Sequence, residues 1–109
     1  MFVKNENPKP AEKNIRIVKS RHAAGPYPLT TSPSITGDYW AEGPTAVTID
    51  GYTYVYFDKY RDHRYGAVRS KDMKLWEDVS EQVSFPAGIR HGTVFIVTEP
   101  VFQKLKNER

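Results

Sequence analysis

Two stretches of this chain echo each other 49 residues apart: Glu42-Gly43-Pro44-Thr45-Ala46-Val47-Thr48-Ile49 and His91-Gly92-Thr93-Val94-Phe95-Ile96-Val97. Each sets one titratable side chain and a glycine just ahead of an apolar run with strand character. A second pair keeps nearly the same period, Ser20 of Ile17-Val18-Lys19-Ser20 standing 50 residues before Ser70 of Ala67-Val68-Arg69-Ser70. Repeats of about 40 to 50 residues are the signature of four-stranded propeller blades. Equivalent positions in successive blades point at one central axis, so the period predicts that Glu42 and His91 share a site. A closed propeller takes about four to eight blades, whereas this chain of 109 residues holds little more than two. The expectation is therefore a piece of a larger ring.

The rest of the sequence divides along that period. Residues 1–20 read as the end of one blade, with Ile15 and Ile17 turned inward against Arg16 in a half-buried strand. Asn7-Pro8-Lys9-Pro10 is expected to interrupt it, since proline brings no backbone donor to a ladder. Residues 21–43 form a long irregular stretch rich in proline and glycine, with the composition of a surface loop. Loops of that length are functional or disordered more often than not, and Tyr27, Tyr39 and Trp40 argue against disorder.

Residues 44–79 read as a nearly whole blade. Asp50-Gly51 is a type I′ hairpin signal between Thr45–Ile49 and Tyr52–Asp58. Tyr65–Ser70 supplies a third strand, and the turn after Ser70 leads to a short outer strand anchored by Trp76. Residues 91–98 are expected to open the next blade as its first strand. Residues 99–107 read as a short helix, with Thr98 as N-cap, Glu99 and Pro100 in the first turn, and Val101, Phe102 and Leu105 at helical spacing. The fold class is all-β, a partial propeller of about two blades with a short C-terminal helix.

Charge narrows the partners. Sixteen Lys and Arg face thirteen Asp and Glu, a net charge of +3, and the basic residues are scattered, which favours neither nucleic acid nor membrane. Cysteine is absent, which excludes disulfides and thiolate metal sites. No apolar run approaches the roughly 20 residues of a membrane span, and the opening Met1-Phe2-Val3-Lys4-Asn5-Glu6 is unlike a signal peptide. An export signal, if the parent protein has one, is expected upstream. Exposed inter-blade faces predict either self-association or a need for the missing blades.

Four segments taken together, Ala41-Glu42-Gly43-Pro44, the hairpin around Asp50-Gly51, the Ser70-Lys71-Asp72-Met73-Lys74-Leu75-Trp76 turn and Ile89-Arg90-His91-Gly92-Thr93, resemble the later blades of a family 43 glycoside hydrolase. The likeness runs from about Phe2 to Phe95, which is only part of a typical catalytic domain of that family. It implies a five-bladed propeller that hydrolyses arabinose- or xylose-containing glycans with inversion, and makes Glu42 the general acid. Such an acid meets the glycosidic oxygen protonated, so its pKa must be raised by burial or a neighbouring carboxylate. The resemblance places the base aspartate, and a second aspartate that tunes the acid, upstream of Met1. Asp38 suits neither role and reads as a loop residue. The isolated chain is accordingly expected to be inactive.

The remaining candidates each carry two readings. The resemblance sets His91 near the axis, where it either ligates a cation such as Ca²⁺ or hydrogen-bonds at the floor of the site; calcium prefers oxygen ligands, and no cofactor is required. Arg90 is a substrate-binding candidate or a solvated arginine. Alternation along a strand allows only one of Arg90 and His91 to face the axis, and His91 is the choice. Trp40, with Tyr39, either stacks on a sugar or packs the long loop down. The segment Asp58-Lys59-Tyr60-Arg61-Asp62-His63-Arg64 offers polar groups for sugar hydroxyls but reads more simply as a charged turn. Tyr52, Tyr54 and Tyr56 read as inter-blade packing. A second function class, a non-catalytic carbohydrate-binding or assembly module built from blades, stands beside the glycosidase.

Overall fold

The computed structural model describes residues 1–108. The protein is mostly antiparallel β with one short helix. Strands β1 (Phe2–Lys4) and β4 (Ile15–Ile17) pair in the register Phe2↔Ile17 and Lys4↔Ile15. Between them, β2 (Asn7–Pro8) and β3 (Ala11–Glu12) make a minimal hairpin. The prolines therefore bend the chain as expected, but Pro8 still joins a ladder. A two-stranded pair has an open outer side, where a missing amide costs no bond.

The main sheet has the order β5 (Glu42–Ile49), β6 (Tyr52–Lys59), β7 (Arg64–Ser70), β8 (Glu77–Asp78), each strand antiparallel to the next. Asp50 and Gly51 at the first turn have φ of 49° and 79°, the doubly positive geometry that a type I′ turn demands. At the third connection Ser70 Oγ accepts the amides of Asp72 and Met73, and Asp72 Oδ1 accepts those of Lys74 and Leu75. These side-chain bonds take the place of backbone pairing and reverse the chain within a few residues.

Alternation on β6 divides the sheet. Val55 and Phe57 face a core shared with Ile15, Ile17, Ile35, Ala41 and Val68, while Tyr52, Tyr54 and Tyr56 stand half-buried on the other face. Phe2 meets Trp76 edge to face at 5.9 Å and Ile15 and Ile17 join Val55, Phe57 and Val68, so the N-terminal pair packs over the core face of the main sheet. The long stretch 21–41 departs from a simple surface loop. Its backbone bonds to β4, with the amides of Ser32 and Ile35 donating to the carbonyls of Ile17 and Ile15, and Ile35 and Ala41 enter the core.

One further expectation is corrected. Residues 91–98 form no strand. A strand exists only through a ladder partner, and this segment's ties to the sheet go to side chains, from the Val94 amide to Thr45 Oγ1 and from the His91 ring to Glu42. Helix α1 (Glu99–Asn107) forms where expected, with Pro100 in its first turn, but Thr98 at the N-cap makes no side-chain capping bond.

Candidate functional site

The site is built on the Tyr face of the sheet, where β5 begins and β6 ends. Counting back from the Asp50-Gly51 turn, strict pairing would set Asp58 opposite Gly43. A bulge between Glu42 and Thr45 shifts the register, so Asp58 lies directly opposite Glu42. Gly43 sits in that bulge at φ +58°, and a Cβ there would come within 3.2 Å of the His91 ring. Glycine is needed for both reasons: the backbone is left-handed, and the imidazole covers it.

His91 and Glu42, the two residues joined by the repeat, meet: His91 Nε2 lies 3.1 Å from Glu42 Oε1. His91 Nε2 is also 3.6 Å from Asp58 Oδ2, and Arg90 Nε donates to that same oxygen at 3.1 Å. Arg90 and His91 thus both face the site, contrary to the alternation argument. That argument needs a strand, and here the chain is not one; His91 has φ +29°. Asp58 is the buried member at 2% exposure, whereas the Arg90 and His91 side chains are more than half exposed. The arginine and imidazole thus lie over a buried carboxylate.

The second oxygen of Glu42 is held from the other side. Lys4 Nζ, brought in by β1, donates to Glu42 Oε2 at 2.8 Å and also contacts Glu6 Oε1 at 2.6 Å. The Lys4 bond, aided by the one from His91 and opposed by partial burial, holds the Glu42 carboxyl below its ordinary pKa. Burial works against the Lys4 ammonium, but its bonds to Glu42 and Glu6 outweigh it and raise its pKa. This reverses the expectation of a raised acid: in this arrangement Glu42 is a stabilised carboxylate. The physical reason is a cation within hydrogen-bonding distance, which favours the charged form more than the modest burial disfavours it.

Tyr65, paired with Asp58 across β6 and β7, completes the floor. Its ring is buried against Phe85, edge to face at 4.9 Å, and its hydroxyl is buried without a hydrogen-bond partner. Burial pushes its pKa up, the Gly92 amide that faces its oxygen pulls the other way, and the Asp58 charge adds to the rise. The hydroxyl therefore stays protonated and has a donor to offer.

The fit of a calcium ion is poor. Glu42, Asp58 and His91 bring potential ligand atoms within 4.8 Å of one another, but Lys4, Arg90 and the imidazole already engage both carboxylates. Two carboxylates balanced by two fixed cations leave little attraction for a hard divalent ion, which takes about six to eight oxygens.

Trp40 lies beside the site rather than open to it. The Arg61 guanidinium covers its ring at 3.6 Å and Tyr60 flanks it at 5.9 Å, so one face is spent on a cation–π contact. Tyr39 packs on Phe57 and donates to Asp78 Oδ2 at 2.5 Å, a loop anchor. Three members of the cluster were not singled out from sequence: Asp58, grouped with a charged turn, Lys4 and Tyr65. Asp58 had one available signal, its place on the Tyr face at the end of an alternating strand. The others arrive from separate strands and carried none.

The chain matches no protein-family model, no curated protein and no solved structure. No described helix is long and apolar enough to cross a membrane.

Proposed function

We propose that this chain contributes the acid-bearing part of a glycoside hydrolase active site resembling that of family 43, within a propeller of which the four-stranded sheet is one blade. The observation that carries the reading is the meeting of Glu42 and His91 at 3.1 Å across 49 residues, with buried Asp58 beside them. Glu42 is the general acid for removal of arabinofuranosyl or xylosyl units. Arg90, His91 and the Tyr65 hydroxyl are polar groups of the kind that hold sugar oxygens.

Two features set what the reaction requires. Glu42 and Asp58 approach within 4.8 Å, closer than the roughly 6.5 to 9.5 Å that leaves room for an attacking water in an inverting pair. Asp58 therefore stands too close to serve as the base of an inverting pair, and on this reading the base comes from another blade. Lys4 must also give up Glu42 Oε2 before the acid takes up a proton. Glu42 otherwise remains ionised, which is the observation favouring the second reading, a non-catalytic module that binds pentose glycans through an anionic Glu42.

The test compares the chain and Glu42→Gln on 4-nitrophenyl arabinofuranoside and xyloside and, by calorimetry, on arabinoxylan oligosaccharides. The hydrolase reading expects no turnover by the chain alone, and turnover that depends on Glu42 once the blades encoded upstream are joined to it. Oligosaccharide binding that Glu42→Gln leaves unchanged, with no turnover in the extended protein, supports the binding module. An upstream reading frame without further blades counts against the hydrolase.

A further inference from the structure

Helix α1 is nine residues long and buries none of its side chains. An isolated helix shorter than about 12 to 15 residues is marginal in water, so a surface must cover it. Val101, Phe102 and Leu105 lie on one side and are 46%, 49% and 54% exposed; Phe95 and Ile96 in the strap before the helix are 67% and 73% exposed. The whole chain tells the same story. Its accessible surface is 7970 Å² at 12.5 kDa, roughly 1,800 Å² above the area of about 6,200 Å² expected of a compact monomer. Its radius of gyration is 15.3 Å, against about 13 Å for a compact chain of this length.

We propose that the strap 93–98 and helix α1 are the interface of a homodimer, the two helices packing antiparallel across a twofold axis. Area and charge both favour a second copy as the occupant. The surplus, spread over the whole chain with this face as one part of it, exceeds the roughly 1,000 Å² per protomer that a homodimer interface of about 2,000 Å² in total needs. The charges on α1 are self-complementary: Glu99 stands in the first turn and Lys104 and Lys106 in the last. Antiparallel pairing through the apolar side sets Glu99 of each copy beside Lys106 of the other, which shares its flank, while Lys104 stands on the opposite flank; it also opposes the two helix dipoles. The proposal does not use the chemistry at Glu42, but it competes with the missing blades of the propeller reading for the same exposed surface.

Sedimentation velocity over a dilution series, with far-ultraviolet circular dichroism, tests it on the full chain. A species of twice 12.5 kDa is expected, dissociating with loss of helix signal. Phe102→Glu with Leu105→Glu is expected to raise the dissociation constant about tenfold or more, and because neither side chain is buried in the protomer, the sheet survives. Glu99→Lys weakens the dimer at low salt, and adding Lys106→Glu restores it. A wild-type monomer at all concentrations overturns the proposal, as does a dimer indifferent to the Phe102 and Leu105 changes. A monomer whose helix forms only on anionic lipid vesicles also overturns it and assigns the face to a membrane surface.

Discussion

Tyr65→Phe is expected to make the protein more stable. The substitution deletes one oxygen and leaves the ring, so the edge-to-face contact with Phe85 at 4.9 Å and the burial of the side chain persist. What disappears is a buried hydroxyl without a hydrogen-bond partner. An unsatisfied buried polar group costs about 1 to 3 kcal/mol. The Gly92 amide near the oxygen recovers part of that, so the expected gain is about 1 to 2 kcal/mol. For a domain near this size each kcal/mol moves the melting temperature by about 4 to 8 °C. Urea denaturation and calorimetry at one fixed protein concentration would measure it, the concentration being held because self-association adds to apparent stability. A loss of about 1 kcal/mol or more would refute the reasoning, because it would mean that the hydroxyl is paired in solution. A gain in stability together with weaker pentose binding would mark Tyr65 as a group kept for a ligand at the expense of the fold.

Three other outcomes follow from the same geometry. Gly43→Ala forces a Cβ onto a left-handed residue and to 3.2 Å from the His91 ring; a loss of about 1 to 2 kcal/mol is expected, with displacement of His91 from Glu42 visible in its imidazole NMR shifts. Arg90→Met should cost more than Asp58→Asn in chemical denaturation, since the first strands a carboxylate that is 2% exposed while the second frees an arginine already more than half in water; equal costs would mean that Asp58 does not depend on Arg90. The folded pKa of Glu42 lies below its ordinary 4.5, so its contribution to stability is present above about pH 4.5 and is lost as pH falls through the folded value. Lys4→Met should flatten that acid limb of a urea-midpoint profile, and an unchanged limb would show that the pair carries no linkage.

The sequence by itself determined what depends on near neighbours. The Asp50-Gly51 turn, the alternation of Tyr52 to Phe57, the reversal after Ser70 and the helix after Thr98 are each set by steric and hydrogen-bonding preferences a few residues long. The repeat linked Glu42 with His91, and the two do meet, although residues 91–98 form no strand and so no second unit like β5 accounts for the meeting. Tertiary structure decided the electrostatics. Lys4 reaches Glu42 from 38 residues away and Arg90 reaches Asp58 from 32, and a one-residue bulge at Gly43, which no local pattern announces, puts Asp58 opposite Glu42. A carboxyl's pKa is a sum over every charge and dipole that folding gathers around it, so the sign of the shift at Glu42 belongs to the assembled site. The same holds for residues 91–98, whose β-rich composition expresses a preference but whose state as a strand depends on whether a partner strand lies beside it.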